Sequence, residues 1–384
     1  MNVNTDREPG GLWERLTFFS DTYTCYSSAV ATWVAWERVD WQRLVDPGLW
    51  LKVGERADGL FAFAHFPPGL RATLGLVRTG MAGTPAEAAA AVLAEMRRGG
   101  RVIVAGDGFY LPWHVALQRR HVPHWYVLVD APQGPTVLDP FACRNDLGLQ
   151  TASRHVVDEG ELERIITGLP GDDPVLALRE ALALGDDAGL PPRLPYQWYV
   201  RSEVQEQHPA PDSAPANSAM ESAPANSVQE QNPPPELAPA NSAMESAPAD
   251  FTSAPADFTS APADSTGPDA VLLLAAHFRA RGQEPSAYVQ ADDLWSIARH
   301  RAFLCLWAQQ RASAEGDAGL SDWVDEHAAS LARKWGHIAP LLMQASLALS
   351  AGRTASASVP DTLEQLAGLE RSAAAAFAQI SSTI

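Results

Sequence analysis

Three residue types that together run thiol-based acyl chemistry occur in order along this 384-residue chain: Cys25, His124 and Asp139. Cys25 lies in Asp21-Thr22-Tyr23-Thr24-Cys25-Tyr26-Ser27-Ser28-Ala29-Val30-Ala31-Thr32-Trp33, where a polar turn passes into an apolar-periodic segment. The pattern predicts a helix over 25–39 that starts at or beside the cysteine. First-turn N–H groups and the positive end of the helix dipole lower a thiol's pKa, so a cysteine at this position is more nucleophilic than one in mid-helix. Further on, His124-Trp125-Tyr126-Val127-Leu128-Val129-Asp130 is followed by Pro132-Gln133-Gly134-Pro135 and then Thr136-Val137-Leu138-Asp139-Pro140. A histidine opening a strand and a carboxylate closing its neighbour supply a base and the group that orients it.

Each residue also has a structural explanation, since free cysteine is among the most buried residue types. The combination is what points to chemistry. A simple hairpin around 131–135 sets Asp139 nearer Val127 than His124, so the carboxylate is expected to need an offset or a bulge to reach the imidazole.

At these residues the chain resembles the papain-like peptidase domains of bacteriocin-processing transporters, through His-aromatic-Val-Leu-Val, a turn, and Val-Leu-Asp-Pro. Gly108-Phe109-Tyr110-Leu111-Pro112-Trp113 and His121-Val122-Pro123-His124 bring it closer to the amino-terminal domain of the butirosin biosynthesis protein H family. The likeness covers 17–145 and, more loosely, the helical tail. It implies a papain-like α+β domain and an acyltransferase that takes an aminoacyl group from a carrier-protein thioester to the amine of a small molecule. Cys25 is then the nucleophile, His124 the base and Asp139 the orienting acid. The donor is a phosphopantetheine thioester on an acyl carrier protein, with no other cofactor. Papain-like enzymes often carry a glutamine shortly before the cysteine as an oxyanion donor, whereas Phe19, Ser20 and Asp21 occupy that stretch here. The N–H of Cys25 is the expected donor, with the Ser20 or Thr22 hydroxyl as alternatives. A thioesterase, a peptidase or amidase, and a non-catalytic scaffold of the same fold remain alternatives.

Asp107, Tyr110 and His121 lie in or beside the segments that carry the resemblance and are expected to line the substrate pocket. Asp107-Gly108 also reads as a simple turn. His114, His121, His124 and His155 lack the acidic or cysteine companions of a ligand set, so no metal site is expected. Cys25, Cys143 and Cys305 are too far apart for a CxxC pair, and neither a phosphate loop nor a GxSxG elbow occurs.

With 46% hydrophobic residues and twelve tryptophans the chain can bury a substantial core, but eleven of its thirty prolines crowd into 203–267. Residues 203–267 read as a disordered, repetitive Pro/Ala-rich linker. Ala-Pro-Ala-Asn-Ser-Ala-Met-Glu-Ser-Ala-Pro-Ala begins at Ala214 and again at Ala238, and Ala-Pro-Ala-Asp-Phe-Thr-Ser at Ala247 and Ala254. Repeats this poor in apolar residues cannot build a solenoid. The linker separates a domain over 12–200 from a small all-α bundle over 268–384, whose core is expected to include Trp295, Phe303, Trp307, Trp323 and Trp335.

Thr84-Pro85-Ala86-Glu87 is a capping box that opens a helix stopped by Gly99-Gly100. Strands are expected at 101–105, 125–130 and 136–138, with a weaker one at 61–66. The formal charge is −18, and removing the ten linker acids leaves −8, so the folded parts are moderately acidic. This disfavours nucleic acid and suits a cationic acceptor. Neither a leader-like amino terminus nor a run of membrane-spanning length is seen, which predicts a cytoplasmic protein without a membrane partner.

Overall fold

The structure, a computed structural model, describes residues 11–37, 51–55, 61–64, 70–145, 147–169, 174–184, 193–202, 265–288, 290–315 and 318–381. The linker expected over 203–267 lies outside these residues except for its last three.

In chain order the first part runs α1 (Leu12–Thr17), α2 (Cys25–Ala35), β1 (Lys52–Glu55), β2 (Phe61–Ala64), α3 (Leu70–Leu74), β3 (Leu76–Met81), α4 (Pro85–Gly99), β4 (Arg101–Asp107), β5 (Pro123–Ala131) and β6 (Gly134–Asp139). A ribbon of β7 (Cys143–Asn145) and β8 (Gly148–Gln150) follows, then β9 (Ser153–Val156), α5 (Glu159–Ile165), α6 (Pro174–Leu184) and β10 (Tyr196–Arg201). Six strands form an antiparallel sheet in the order β3-β10-β4-β5-β6-β9. Its central pair, β4 and β5, is buried along almost its whole length, as expected for antiparallel strands only when both faces are covered. One face packs under α4 and α5 through Val92, Met96, Val104, Leu128 and Ile165. The other receives α2 and α6 against Ile103, Trp125, Val127 and Tyr199.

α2 begins at Cys25 as expected and is buried nearly all round, because the sheet, α6 and the carboxy-terminal helices enclose it. It ends at Ala35, with Trp36 as its C-cap, short of the end expected near residue 39. Both partners of the expected capping box on α4 are engaged, with Thr84 accepting from the Glu87 N–H and Glu87 from the Thr84 N–H. Gly100 closes that helix in the left-handed conformation.

The β5–β6 hairpin differs from expectation. Ala131 pairs with Gly134 and Val127 with Leu138, so the turn is only Pro132-Gln133, with Gly134 at φ 116° just after it. This tighter turn shifts the register by one residue, and Asp139 falls next in register opposite Tyr126 rather than Val127. A one-residue shift exchanges the faces of a strand. Asp139 therefore shares a face with His124, and no bulge is needed.

The carboxy-terminal part comprises β11 (Ser265–Thr266), α7 (Gly267–Arg281), α8 (Ala291–Glu315), α9 (Ala318–Trp323), α10 (Ala329–Ser350) and α11 (Ser358–Ser381). A π-helical turn over Val324–Ala328 joins α9 to α10. Ser265–Gly267, expected to end the linker, belong to the folded body. β11 pairs with β1, and Gly267, at φ 55°, donates its N–H to the Leu51 carbonyl at 2.7 Å. These contacts satisfy backbone groups that a free linker would leave to water.

The helices share one core with the sheet domain. Phe303 on α8 packs 4.7 Å from Phe19 and 5.6 Å from Tyr23, centroid to centroid. Of the five aromatics expected in the bundle core, Phe303, Trp323 and Trp335 are buried, and Trp295 and Trp307 sit partly exposed at its margin. Deep in the bundle, Arg301 is paired with Glu370, which also accepts from the Trp335 indole. Among the described residues, no helix is long and apolar enough to cross a membrane.

Candidate active site

Thr24 caps α2. Its hydroxyl accepts the Ser27 N–H, and the Ser27 hydroxyl accepts the Thr24 N–H. This box fixes the helix start while the Cys25 N–H, at the first helical position, takes no acceptor among the described residues. The Thr22 hydroxyl is committed to the Phe19 carbonyl at 2.7 Å. The Ser20 hydroxyl is buried without a partner among the described residues. Among the described residues the Cys25 N–H and the Ser20 hydroxyl thus have no acceptor, whereas the Thr22 hydroxyl does.

The structure brings Cys25, His124 and Asp139 together. His124 Nε2 lies 2.7 Å from Asp139 Oδ2, and the imidazole hydrogen-bonds the Cys25 side chain, which leaves Nδ1 for the sulfur. The Trp125 N–H also points at the sulfur. Asp139 is held from three sides: besides His124, it accepts the Trp113 indole N–H at 2.8 Å and the Phe141 N–H at 3.2 Å. Such a carboxylate keeps the imidazole in one tautomer and orientation. Only Cys25, at 6% exposure, retains an opening, since His124 and Asp139 are at 1% and 0%.

The electrostatics follow from these contacts. Burial alone raises the Cys25 pKa, but the charge of Arg179 and then the hydrogen bond and charge of His124 outweigh it and lower the thiol to about 7. For His124, burial favours the neutral ring, yet the charge and hydrogen bond of Asp139, with those of Cys25, raise it to about 9. The thiol and imidazole thereby favour a thiolate–imidazolium pair near neutral pH.

Several contributors have no counterpart in the sequence reading. Arg179 on α6 directs Nη1 at Cys25 Sγ, 3.4 Å away, and donates to the Pro123 carbonyl. The adjacent Glu180 is fully buried between Arg78 on β3 and Arg193, which fixes α6 against the sheet and sets Arg179 at the sulfur. A signal was present: Arg179-Glu180 interrupts the otherwise apolar run Val175-Leu176-Ala177-Leu178 and Ala181-Leu182-Ala183-Leu184, where charges are unexpected. His114 packs its ring 4.4 Å from that of His124 and accepts the Ala116 N–H at Nδ1. Burial, then the charges of His124 and Arg179, lower its pKa to about 2, so it stays neutral. From α8, Arg299 reaches across to the carbonyls of Tyr23, Ser20 and Ala142, joining the segment before Cys25 to the one after Asp139.

The three residues expected to line the pocket lie at the two ends of the loop 108–122. Asp107 ends β4 and is buried at the base of the loop 108–122, where Oδ1 accepts the N–H groups of Phe109 and Val122. Its Oδ2 lies 2.6 Å from His121 Nδ1. His121 is exposed and stacks on Phe109, and Tyr110 faces a surface depression shared with Glu163 and Arg164 of α5. None of the three makes a hydrogen bond or ring contact with Cys25 or His124. Asp107 serves the site through the loop it closes, because that loop carries Trp113 and His114 to the triad. Gly108 is required there: a Cβ would stand 2.7 Å from His114 Nδ1.

Among the described residues, no group of three or more His, Cys, Asp or Glu is arranged to hold a metal ion. No protein-family model matches the chain, and no curated protein is significantly similar to it.

Proposed function

We propose that the protein is a cysteine-dependent acyltransferase. In this reading it moves an acyl or aminoacyl group from a carrier-protein thioester to an amine through an acyl-Cys25 intermediate. The observation that carries the reading is the continuous relay from Cys25 Sγ through His124 to Asp139, closed to solvent except at the cysteine. The resemblance to papain-like domains, and to the butirosin biosynthesis protein H family at Gly108–Trp113 and His121–His124, supplies the choice of donor and acceptor. A free reactive thiol suits the reducing cytoplasm.

His124 takes the thiol proton, and the Cys25 thiolate attacks the thioester carbonyl. The oxyanion is held by the Cys25 N–H at the helix start, with the Ser20 hydroxyl as a second donor. Collapse breaks the bond to the carrier sulfur, which leaves with the proton from the His124 imidazolium. Neutral His124 then accepts the proton of the attacking amine, and expulsion of Cys25 thiolate regenerates the ion pair and releases the amide. Water must be kept from the acyl-enzyme for amide formation to prevail, and the low exposure of the triad favours that outcome.

The test is product partition. With an acyl thioester donor and increasing concentrations of primary amine, amide should replace free acid while the rate of thiol release stays nearly constant. Free acid at every amine concentration identifies a thioesterase. Absence of thiol release from any donor, with cleavage of peptides by the same protein, identifies a peptidase.

A further inference from the structure

We propose that Arg179 is an anchor for a carboxylate carried by the acyl donor close to its scissile carbonyl, an inference that rests on the acyl-Cys25 reading. The guanidinium is half-buried beside the nucleophile and, among the described residues, bonds through one of its nitrogens. Nη1 serves Cys25 Sγ and the Pro123 carbonyl. The Nε and Nη2 hydrogens take no acceptor among the described residues. Nor does Arg179 pair with any described carboxylate. Glu180 beside it is committed to Arg78 and Arg193, and Asp139 to His124, Trp113 and Phe141. The Nε–Nη2 edge of arginine is the fork that binds carboxylates through two parallel hydrogen bonds, and here that edge has no acceptor among the described residues.

The chemistry of the cycle leaves a place for such a partner. In the resting enzyme the Cys25 thiolate is the anion that Arg179 contacts, and acylation converts the sulfur to a neutral thioester while His124 gives its proton to the departing thiol. The half-buried cation then faces the acyl group with no anion in direct contact among the described residues. An acyl chain bearing its own carboxylate replaces the lost anion at that step. Nη1 is 3.4 Å from the sulfur, and a carboxylate hydrogen-bonded to the far edge of the fork then lies roughly 6–8 Å from the sulfur, the reach of an extended chain with about three or four methylenes between its two carbonyl carbons. This spacing matches glutaryl and adipyl groups. The positive field at the sulfur also repels a protonated amine, so the acceptor must arrive neutral whatever the net charge of the protein.

Thiosulfonate modification of the full-length protein tests this without any acyl donor. Rates at Cys25 with 3-carboxypropyl methanethiosulfonate, whose carboxylate reaches the far edge of the guanidinium from the sulfur it modifies, and with neutral butyl methanethiosulfonate are measured by intact-protein mass spectrometry for wild type, Arg179→Gln and Arg179→Lys. Folding of each is checked by circular dichroism. The ratio of the two rates cancels the thiolate fraction. We expect the carboxypropyl-to-butyl ratio to fall about tenfold in Arg179→Gln and less in Arg179→Lys, which keeps the charge without the fork. Glutaryl thioesters should likewise lose their advantage over pentanoyl thioesters as acyl donors. An unchanged ratio in both variants, with Cys25 still reactive, overturns the anchor and leaves acyl transfer standing. A Cys25 inert to both reagents overturns the acyltransferase reading and this inference with it.

Discussion

Cys25 and Cys143 are both buried thiols with an arginine in their surroundings, yet they are driven in opposite directions. The Cys25 pKa is lowered to about 7, whereas burial pushes Cys143 up to about 11 despite the opposing charge of Arg299. The difference lies in what the neighbouring donors are already doing. At the start of α2, Arg179 directs an N–H at the sulfur, the Trp125 N–H adds a second donor, and His124 can take the proton. Beside Cys143 on β7, Arg299 of α8 is spent on three backbone carbonyls and so acts on the thiol through its field. A nearby positive charge is therefore insufficient to activate a cysteine. It needs hydrogen bonds to the thiolate and a base with an orienting partner.

Removing the orienting partner should erase most of this contrast. Asp139→Asn takes away the charge that raises the His124 pKa and permits the wrong tautomer. Acylation of Cys25 is expected to fall by up to about ten-thousandfold, measured as single-turnover thiol release. Loss of less than about tenfold would show that His124 is oriented by other groups.

The second expected effect compares the two thiols directly through the pH dependence of alkylation by iodoacetamide, located by peptide mapping. Below the Cys25 pKa the thiol is protonated, so its rate should rise with pH through about 7 and then level off. Cys143 should stay inert until pH approaches 11. At pH 7.5 the thiolate populations differ by more than about a thousandfold, and the rates should differ by a similar order. Acyl transfer needs the imidazolium as well, because it protonates the departing thiol. Its rate should rise through about 7 and fall as pH passes about 9, where His124 loses its proton. Equal alkylation of both cysteines across this range would remove the distinction.

Much of the site was legible in the sequence because its signals are local. Thr24 and the apolar run after Cys25 mark a helix start, Thr84 to Glu87 mark another, and the β-branched runs of β4 and β5 read as strands. Features that depend on distant partners were not legible. The hairpin register turns on whether Pro132-Gln133 alone makes the turn, which composition does not decide. Arg179 meets Cys25 across 154 positions, and Arg299 meets Tyr23 across 276. β10, last in the domain, inserts between β3 and β4 although its aromatic and β-branched residues carry an ordinary strand signal. The pocket expected at Asp107, Tyr110 and His121 came from resemblance rather than periodicity, and the carboxylate of Asp107 is turned into its own loop.

The most direct test of acyl transfer through Cys25 is the intact mass of the protein after brief mixing with acyl thioesters, glutaryl among them, in the absence of amine. The account predicts one added acyl group on the wild type, mapped to Cys25, and none on Cys25→Ala. An adduct of equal yield on Cys25→Ala, or carried by Cys143 or Cys305 in the wild type, would contradict it.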